Sequence, residues 1–266
     1  MKFSSTISKM KVKYNNPVGY YLDTDQSEIF LNNYLNSKIT FVWSGNVKCI
    51  CGKLFKEFYR QNFCYNCYWN SPQASPSIFK PELCKAHLGE EERDLEWEKE
   101  FQLQEHVVYL SISSGMKVGV TRSLNVTSRW IDQGAVSAIL FAKTPNRYLA
   151  GNIEFYLKKK YNIPDRTNWR KMLQNKVEKL DLLYQKNILK EYLDTEMSEY
   201  FSNENDIINI EYPVLSYPEK ITSLSFTKTP VIEGVLKGIK GQYLILDQDR
   251  VLNIRKHKGF ILNIQL

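Results

Sequence analysis

Short alternation of apolar and polar positions marks both ends of the chain, and helical spacing is confined to its middle. KMKVKY, PVGYYL, EIFLNNYL and KITFVW, within residues 1–47, are rich in Val, Ile, Tyr and Phe and are broken by Asn, Pro, Gly and Asp. That punctuation predicts short strands. SLSFTK, VIEGVLKGI, GQYLILDQ, VLNIR and GFILNIQL repeat the pattern within residues 203–266. Their regular spacing predicts a small β barrel or a twisted sheet. The N-terminal strands are expected to complete the same sheet, because the ends of a compact protein often lie close together.

Residues 106–202 carry a ββαβα order with added helices. HVVYLSI alternates and is β-branched, Ser113-Ser114-Gly115 turns, and MKVGVT returns. A first helix covers Val126 to Gln133, with Asn125 or Thr127 as its N-cap and Gly134 as its stop. Ala138 to Ala142 is the third strand, and Thr144-Pro145 opens the next helix with a cap followed by Pro. On that helix Ala150, Ile153 and Leu157 form the core stripe, and Arg147, Gly151, Glu154 and Lys158 recur on the stripe beside it. Glu154 therefore stands at the edge of the buried face. There it either looks into a cleft or pairs with Lys158 one turn on. Gly151 lets something approach the helix backbone closely. Further helices follow in TNWRKML and over residues 176–201, where Leu180, Leu183, Tyr184, Ile188 and Tyr192 form an apolar stripe.

Residues 89–105, GEEERDLEWEKEFQLQE, read as an acidic, solvated linker helix. SPQASPS, just before, is too rich in Pro and Ser for a regular element. The fold class is α+β, in five segments: a β segment (1–47), a cysteine lobe (48–88), the linker helix (89–105), the central α/β domain with its helical extension (106–202) and the C-terminal β domain (203–266).

The five cysteines change the picture most, because all lie between Cys49 and Cys84. Cys49-x-Cys51 and Cys64-x-x-Cys67 offer four thiolates on two turns, the donor set of a closed, structural zinc site in a ribbon-like lobe. Gly52 supplies the freedom a tight turn after Cys51 needs. Cys84-x-x-His87 could replace one of the four, bind a separate ion, or do neither. Clustered cysteines in a reducing compartment point to metal or redox chemistry more than to disulfides, and the second cysteine pair beside Cys64-x-x-Cys67 favours metal. The N-terminal run has no apolar core of a signal peptide, and no stretch approaches the length of a membrane span, so a cytoplasmic location is expected. The 36 Lys and Arg against 29 Asp and Glu give a net charge of +7, which suits a polyanion partner. Lys237, Lys240, Arg250, Arg255, Lys256, His257 and Lys258 fall in the turns and strand ends of the tail, with Tyr243 and Phe260 available for stacking. No G-x-S-x-G elbow accompanies the three histidines and no Walker motif is present.

The central block resembles the GIY-YIG nuclease domain through its element order and through Tyr109 in VVYL, Gly119 in KVGV, Arg129 in SRW and Glu154 in GNIEF. Lys117 stands where that family has its second Tyr, and Val107 where it has a Gly. The resemblance implies that Tyr109 helps activate a water, that Arg129 stabilises the phosphate, and that Glu154 holds Mg²⁺ or Mn²⁺. Lys117 stands in for the absent Tyr. Arg122, Arg147 and Lys158, with Lys240 and Lys256 of the tail, are the expected nucleic-acid contacts.

Over a longer span, KCICG, FCYNC, KPELCKAHLGEE, RWIDQGA, TPNRYLAGNIE, TNWRKML and GIKGQYLI identify the chain as a member of the bacterial family called domain of unknown function 2797. The expected function is a zinc-containing nucleic-acid-binding protein with metal-dependent phosphodiester hydrolysis. The alternatives are a non-catalytic DNA- or RNA-binding protein and a scaffold that docks a protein on the acidic helix.

Overall fold

The computed structural model describes residues 2–24 and 28–266. Its strands are β1 (Lys2–Thr6), β2 (Lys11–Lys13), β3 (Gly19–Asp23), β4 (Glu28–Phe30), β5 (Lys38–Lys48), β6 (Leu54–Phe55), β7 (His106–Ile112), β8 (Met116–Arg122), β9 (Ser137–Thr144), β10 (Ile208–Asn209), β11 (Thr222–Leu224), β12 (Val231–Lys240), β13 (Tyr243–Leu246), β14 (Arg250–Asn253) and β15 (Phe260–Gln265). Its α-helices are α1 (Tyr65–Asn70), α2 (Pro76–Phe79), α3 (Leu95–Gln102), α4 (Val126–Asp132), α5 (Arg147–Tyr161), α6 (Trp169–Leu173), α7 (Leu182–Lys190) and α8 (Thr195–Ser198). The chain forms two compact units. One comprises Met1–Trp69, Leu173–Asn175 and Ile210–Leu266, and the other Asn70–Met172 and Lys176–Asn209. No helix among the described residues is long and apolar enough to cross a membrane.

In the first unit the two ends of the chain share one sheet, ordered β1-β15-β5-β12-β13-β14-β11 with β6 on β5. Ser4 faces Asn263, and Phe41 of β5 faces both Ile264 and Ile232. Alternation along β5 sends Ile39 and Phe41 into the core, where both are fully buried. Strands β2, β3 and β4 form a small second sheet. EIFLNNYL is a strand only as far as Phe30, and Leu31–Tyr34 winds into a 3-10 turn. The Asn32 side chain explains the change, because it accepts from the Tyr20 amide (3.0 Å) and donates to the Val18 carbonyl (2.9 Å), replacing a strand partner for β3.

The second unit is built on the antiparallel sheet β10-β9-β7-β8. Val108, Leu110, Ile112, Val118 and Val120 form one buried cluster with Ala150, Ile153 and Leu157 of α5 and Leu182 and Leu189 of α7. Strand alternation places Tyr109, Ser111, Lys117 and Gly119 on the opposite face, where Tyr109 pairs with Gly119 and Ser111 with Lys117.

Four local expectations are corrected. Helix α5 starts at Arg147, with Asn146 as cap accepting from the Leu149 amide at 3.0 Å. Thr144 is still in β9, and its hydroxyl donates to the Asn146 carbonyl at 2.8 Å, so Pro145 precedes the cap. Residues 176–201 are not one helix, because Asp181 and Asp194 cap two separate ones. The stripe that α7 buries is Leu182, Lys186 and Leu189, which leaves Tyr184 exposed. SPQASPS winds into two single turns, each opened by a Pro at its first position, where the missing N–H costs nothing. The acidic linker helix begins at Leu95 and is not wholly solvated. Glu98 is 1 % exposed, and its carboxylate accepts from the amides of Glu92, Arg93 and Asp94.

Candidate functional site

The cysteine cluster is built by two tight turns. After β5, the Cys49 amide donates to the Lys53 carbonyl (3.0 Å) and the Gly52 amide to the Cys49 carbonyl (2.9 Å). Gly52 holds a left-handed φ of +81°, which favours glycine at this place. The Cys64 amide points at the Cys49 sulfur at 3.2 Å. The four sulfurs of Cys49, Cys51, Cys64 and Cys67 lie within 4.8 Å of one another and could hold a metal ion. Burial, and then hydrogen bonding to the other three thiols, pushes the Cys67 thiol up to about 12. Sulfurs packed this closely ionise together only when a cation takes up their charge, and four thiolates are the donor set Zn²⁺ selects for a closed site. Cys84 and His87 are not members of the group and belong to the other unit. The Cys84 thiol lies beside Arg147 and Ser77, and the His87 ring stacks on Tyr148 at 4.2 Å.

The second site lies on the Tyr109 face of the β7–β8 pair. Tyr109 is fully buried, with its ring edge-on to Trp130 at 6.0 Å and its hydroxyl donating to Gln133 Oε1 at 2.9 Å. A Cβ on Gly119 would meet that hydroxyl at 2.5 Å, so only glycine leaves room for the ring. Burial pushes the Tyr109 phenol above its ordinary range, and the positive charge of Arg129 pulls the other way. Lys117 is 2 % exposed. Burial brings its ammonium down to about 7, Arg129 adds to the fall, and Glu154 and Asp165 oppose it. Glu154, partly buried on α5, is pushed up to about 7 by burial and then by Asp165, against the pull of Lys117 and Arg147.

Tyr109, Lys117, Arg129 and Glu154 therefore act on one another although they come from β7, β8, α4 and α5. Among the described residues nothing hydrogen-bonds to the Lys117 ammonium or the Glu154 carboxylate. The i,i+4 pair of Glu154 with Lys158 is not formed, because the Lys158 ammonium pairs with Asp165 instead. Glu154 opens on a cavity of about 270 Å³ that Glu82 and Asp165 share with Lys80, Lys158 and Arg166.

The other expected contacts are dispersed. Arg122 and Arg147 lie over the Phe101 ring at 5.1 and 5.4 Å, and Arg147, 7 % exposed, donates to the Ile78 carbonyl. Lys240 is fully buried in the first unit between Tyr212 and Tyr217, with its ammonium on Asn175 Oδ1 at 2.8 Å, so it presents no charge to solvent. Lys256, in the same unit, is exposed.

Sequence reasoning missed Gln133, Asp165 and Glu82. Gln133 follows Arg129 at helical spacing, which was a usable signal. Asp165 sits in the irregular segment after α5 and carried none. Glu82 was announced indirectly by Gly151: a Cβ there would lie 2.4 Å from the Glu82 amide nitrogen, so the Pro81–Glu82 backbone rests on the helix.

No curated protein and no solved structure matches the chain. A family model described as "Protein of unknown function (DUF2797)" matches residues 36–262, and the chain belongs to that family.

Proposed function

We propose that the chain is a zinc-containing nucleic-acid-binding protein that hydrolyses phosphodiesters at a GIY-YIG-like site. One observation carries this reading: a buried ammonium and a partly buried carboxyl, Lys117 and Glu154, neither with a hydrogen-bond partner among the described residues, lie in one another's field beside Arg129. Leaving such groups without partners is costly, and active sites are where that cost recurs. The ββαβα order around them is the order that resembles the nuclease domain.

Glu154 would hold a hard divalent ion such as Mg²⁺ or Mn²⁺ through its carboxylate, in a cavity that Glu82 and Asp165 line together with Lys80, Lys158, Lys159 and Arg166. Such an ion, when bound, would offset charge on the phosphoryl oxygens. Arg129 binds the non-bridging oxygens of the scissile phosphate. Lys117, near 7, is partly neutral at physiological pH and takes the proton of the attacking water. Tyr109 is enclosed, with its hydroxyl on Gln133 and in the field of Arg129, so its part is to position Arg129 rather than to meet the water.

The test is incubation of purified protein with Mg²⁺ or Mn²⁺ and single-stranded, duplex and structured DNA and RNA. Cleavage that Glu154→Ala and Lys117→Met abolish is expected. Intact substrates throughout, or cleavage indifferent to Glu154→Ala, would overturn the hydrolytic reading. The 2 % exposure of Lys117 favours one second reading, a binding protein without chemistry. That reading expects affinity that falls steeply with salt and no cleavage.

A further inference from the structure

The turns that carry the cysteines also hold aromatic rings out to solvent. Tyr59, Tyr65 and Trp69 are 43 %, 60 % and 50 % exposed. With Tyr68 they form an edge-to-face chain, with ring centres 5.0 Å apart for Tyr59–Tyr65, 5.4 Å for Tyr59–Tyr68 and 5.1 Å for Tyr68–Trp69. The Arg60 guanidinium lies 5.4 Å from the Tyr59 ring centre and 5.8 Å from that of Tyr68. Tyr59 and Arg60 also line a cavity of about 340 Å³ whose wall includes Trp43, Phe58 and Phe260 and whose rim includes Lys56 and Lys256. That volume lies at the small end of the range for ligand pockets, about 300–1,000 Å³. Three cations face the cavity against one carboxylate, Glu57. Rings this exposed add little to the core, and backbone bonds hold the turns that carry them, from the Tyr59 amide to the Phe63 carbonyl (2.8 Å) and from the Tyr68 amide to the Cys64 carbonyl (2.9 Å), so they are presented pre-ordered.

We propose that this surface binds single-stranded nucleic acid. Bases stack on Tyr65 and Trp69, one nucleotide enters the cavity against Trp43, Phe58 and Phe260, and Lys56, Arg60 and Lys256 meet the phosphates. Stacking needs an unpaired base face, which a duplex does not offer, and interleaved cations and rings are the combination that tracks a single strand. The inference deepens the reading of the protein as a nucleic-acid binder by naming the strand, and it depends on binding, not on hydrolysis.

Fluorescence anisotropy of the zinc-loaded full chain with labelled oligo(dT), oligo(U) and a duplex of equal length tests it. The single strands should bind more tightly than the duplex, and their addition should quench tryptophan emission. Tyr65→Ala/Trp69→Ala should weaken single-strand binding about tenfold or more, the loss expected for a stacked base. Tyr65→Phe/Trp69→Phe, which keeps the rings, should restore binding. Because these positions neighbour cysteines, Lys56→Glu/Lys256→Glu provides a second arm away from the metal turns. It should weaken binding and make the salt dependence shallower, by about one unit of slope per lost phosphate contact. Wild-type affinity in both double variants, or equal affinity for duplex and single strand, would overturn the proposal. Tight single-strand binding without cleavage would sink the hydrolytic reading alone. Cleavage that persists while both double variants bind like the wild type would sink this proposal alone.

Discussion

Tyr109 stands directly across the β7–β8 pair from Gly119, and its ring fills the space a Gly119 side chain would need. A methyl group there would lie 2.5 Å from the phenol oxygen and 2.6 Å from Cζ. The ring is fully buried, so it has nowhere to retreat. Gly119→Ala should therefore cost about 1–3 kcal/mol, the usual range for overpacking. Urea denaturation measures it, and a variant as stable as the wild type would show that the ring moves freely. Tyr109→Phe keeps the packing and removes the bond to Gln133, at about 1 kcal/mol. If Tyr109 only positions Arg129, turnover falls in that variant without any change in the pH profile.

The Lys117–Glu154 pair gives the stability curve two opposed slopes. The folded Lys117 ammonium sits at about 7, below its ordinary 10.5. The unfolded chain thus binds more protons between those values, and stability from this group rises with pH from 7 towards 10.5. The folded Glu154 carboxyl sits at about 7, above its ordinary 4.5, so its contribution is full below 4.5 and is lost as pH rises to 7. Lys117→Met should remove the upper slope. Glu154→Gln should remove the lower slope. Denaturation series at acid, neutral and alkaline pH check both, and parallel curves for all three proteins would refute the assignment.

Native mass spectrometry should find one zinc ion per chain in the wild type and in Cys84→Ser, and none in Cys64→Ser. The sulfurs of Cys49, Cys51, Cys64 and Cys67 are mutually close, whereas Cys84 lies in the other unit beside Arg147. A structural site contributes folding free energy directly, so a strong chelator should also melt the lobe around Cys49–Trp69. Zinc lost from Cys84→Ser and kept in Cys64→Ser would reverse the ligand assignment.

Local signals carried much of this into the sequence, and long-range ones did not. The Cys49/Cys51 and Cys64/Cys67 pairs, the β7–β8 hairpin and the Gly134 stop follow from spacing and turn residues, which act over a few positions. That the N-terminal strands share a sheet with the tail follows from the proximity of chain ends, but the pairing of β1 with β15 and its register, Ser4 on Asn263, are set by packing. Periodicity misplaced the buried stripe of α7 because Asp181 and Asp194 could be read as helix interior as easily as caps. Its place among the cations of turns and strand ends makes Lys240 read as a surface cation, and nothing local announces Tyr212 and Tyr217 around it. Asp165 reaches the site from an irregular segment, where neither period nor cap leaves a trace.

Glu98 is the acidic residue of the linker helix that the fold cannot lose. Its carboxylate takes the amides of Glu92 (2.9 Å), Arg93 (2.8 Å) and Asp94 (3.3 Å), the turn that leads into α3, and it is 1 % exposed while doing so. Glu98→Ala would strand those donors in a partly buried turn, at a cost of about 1–3 kcal/mol for an unsatisfied group. Glu98→Gln keeps one acceptor oxygen and should lose less. Glu96→Ala, on the exposed side of the same helix, should change little, because its ion pair with Lys99 is a surface pair worth about 0–1 kcal/mol. Urea denaturation orders the three variants, and hydrogen exchange at the Glu92–Asp94 amides locates the effect. Equal stability of Glu98→Ala and Glu96→Ala would mean that the turn finds other acceptors.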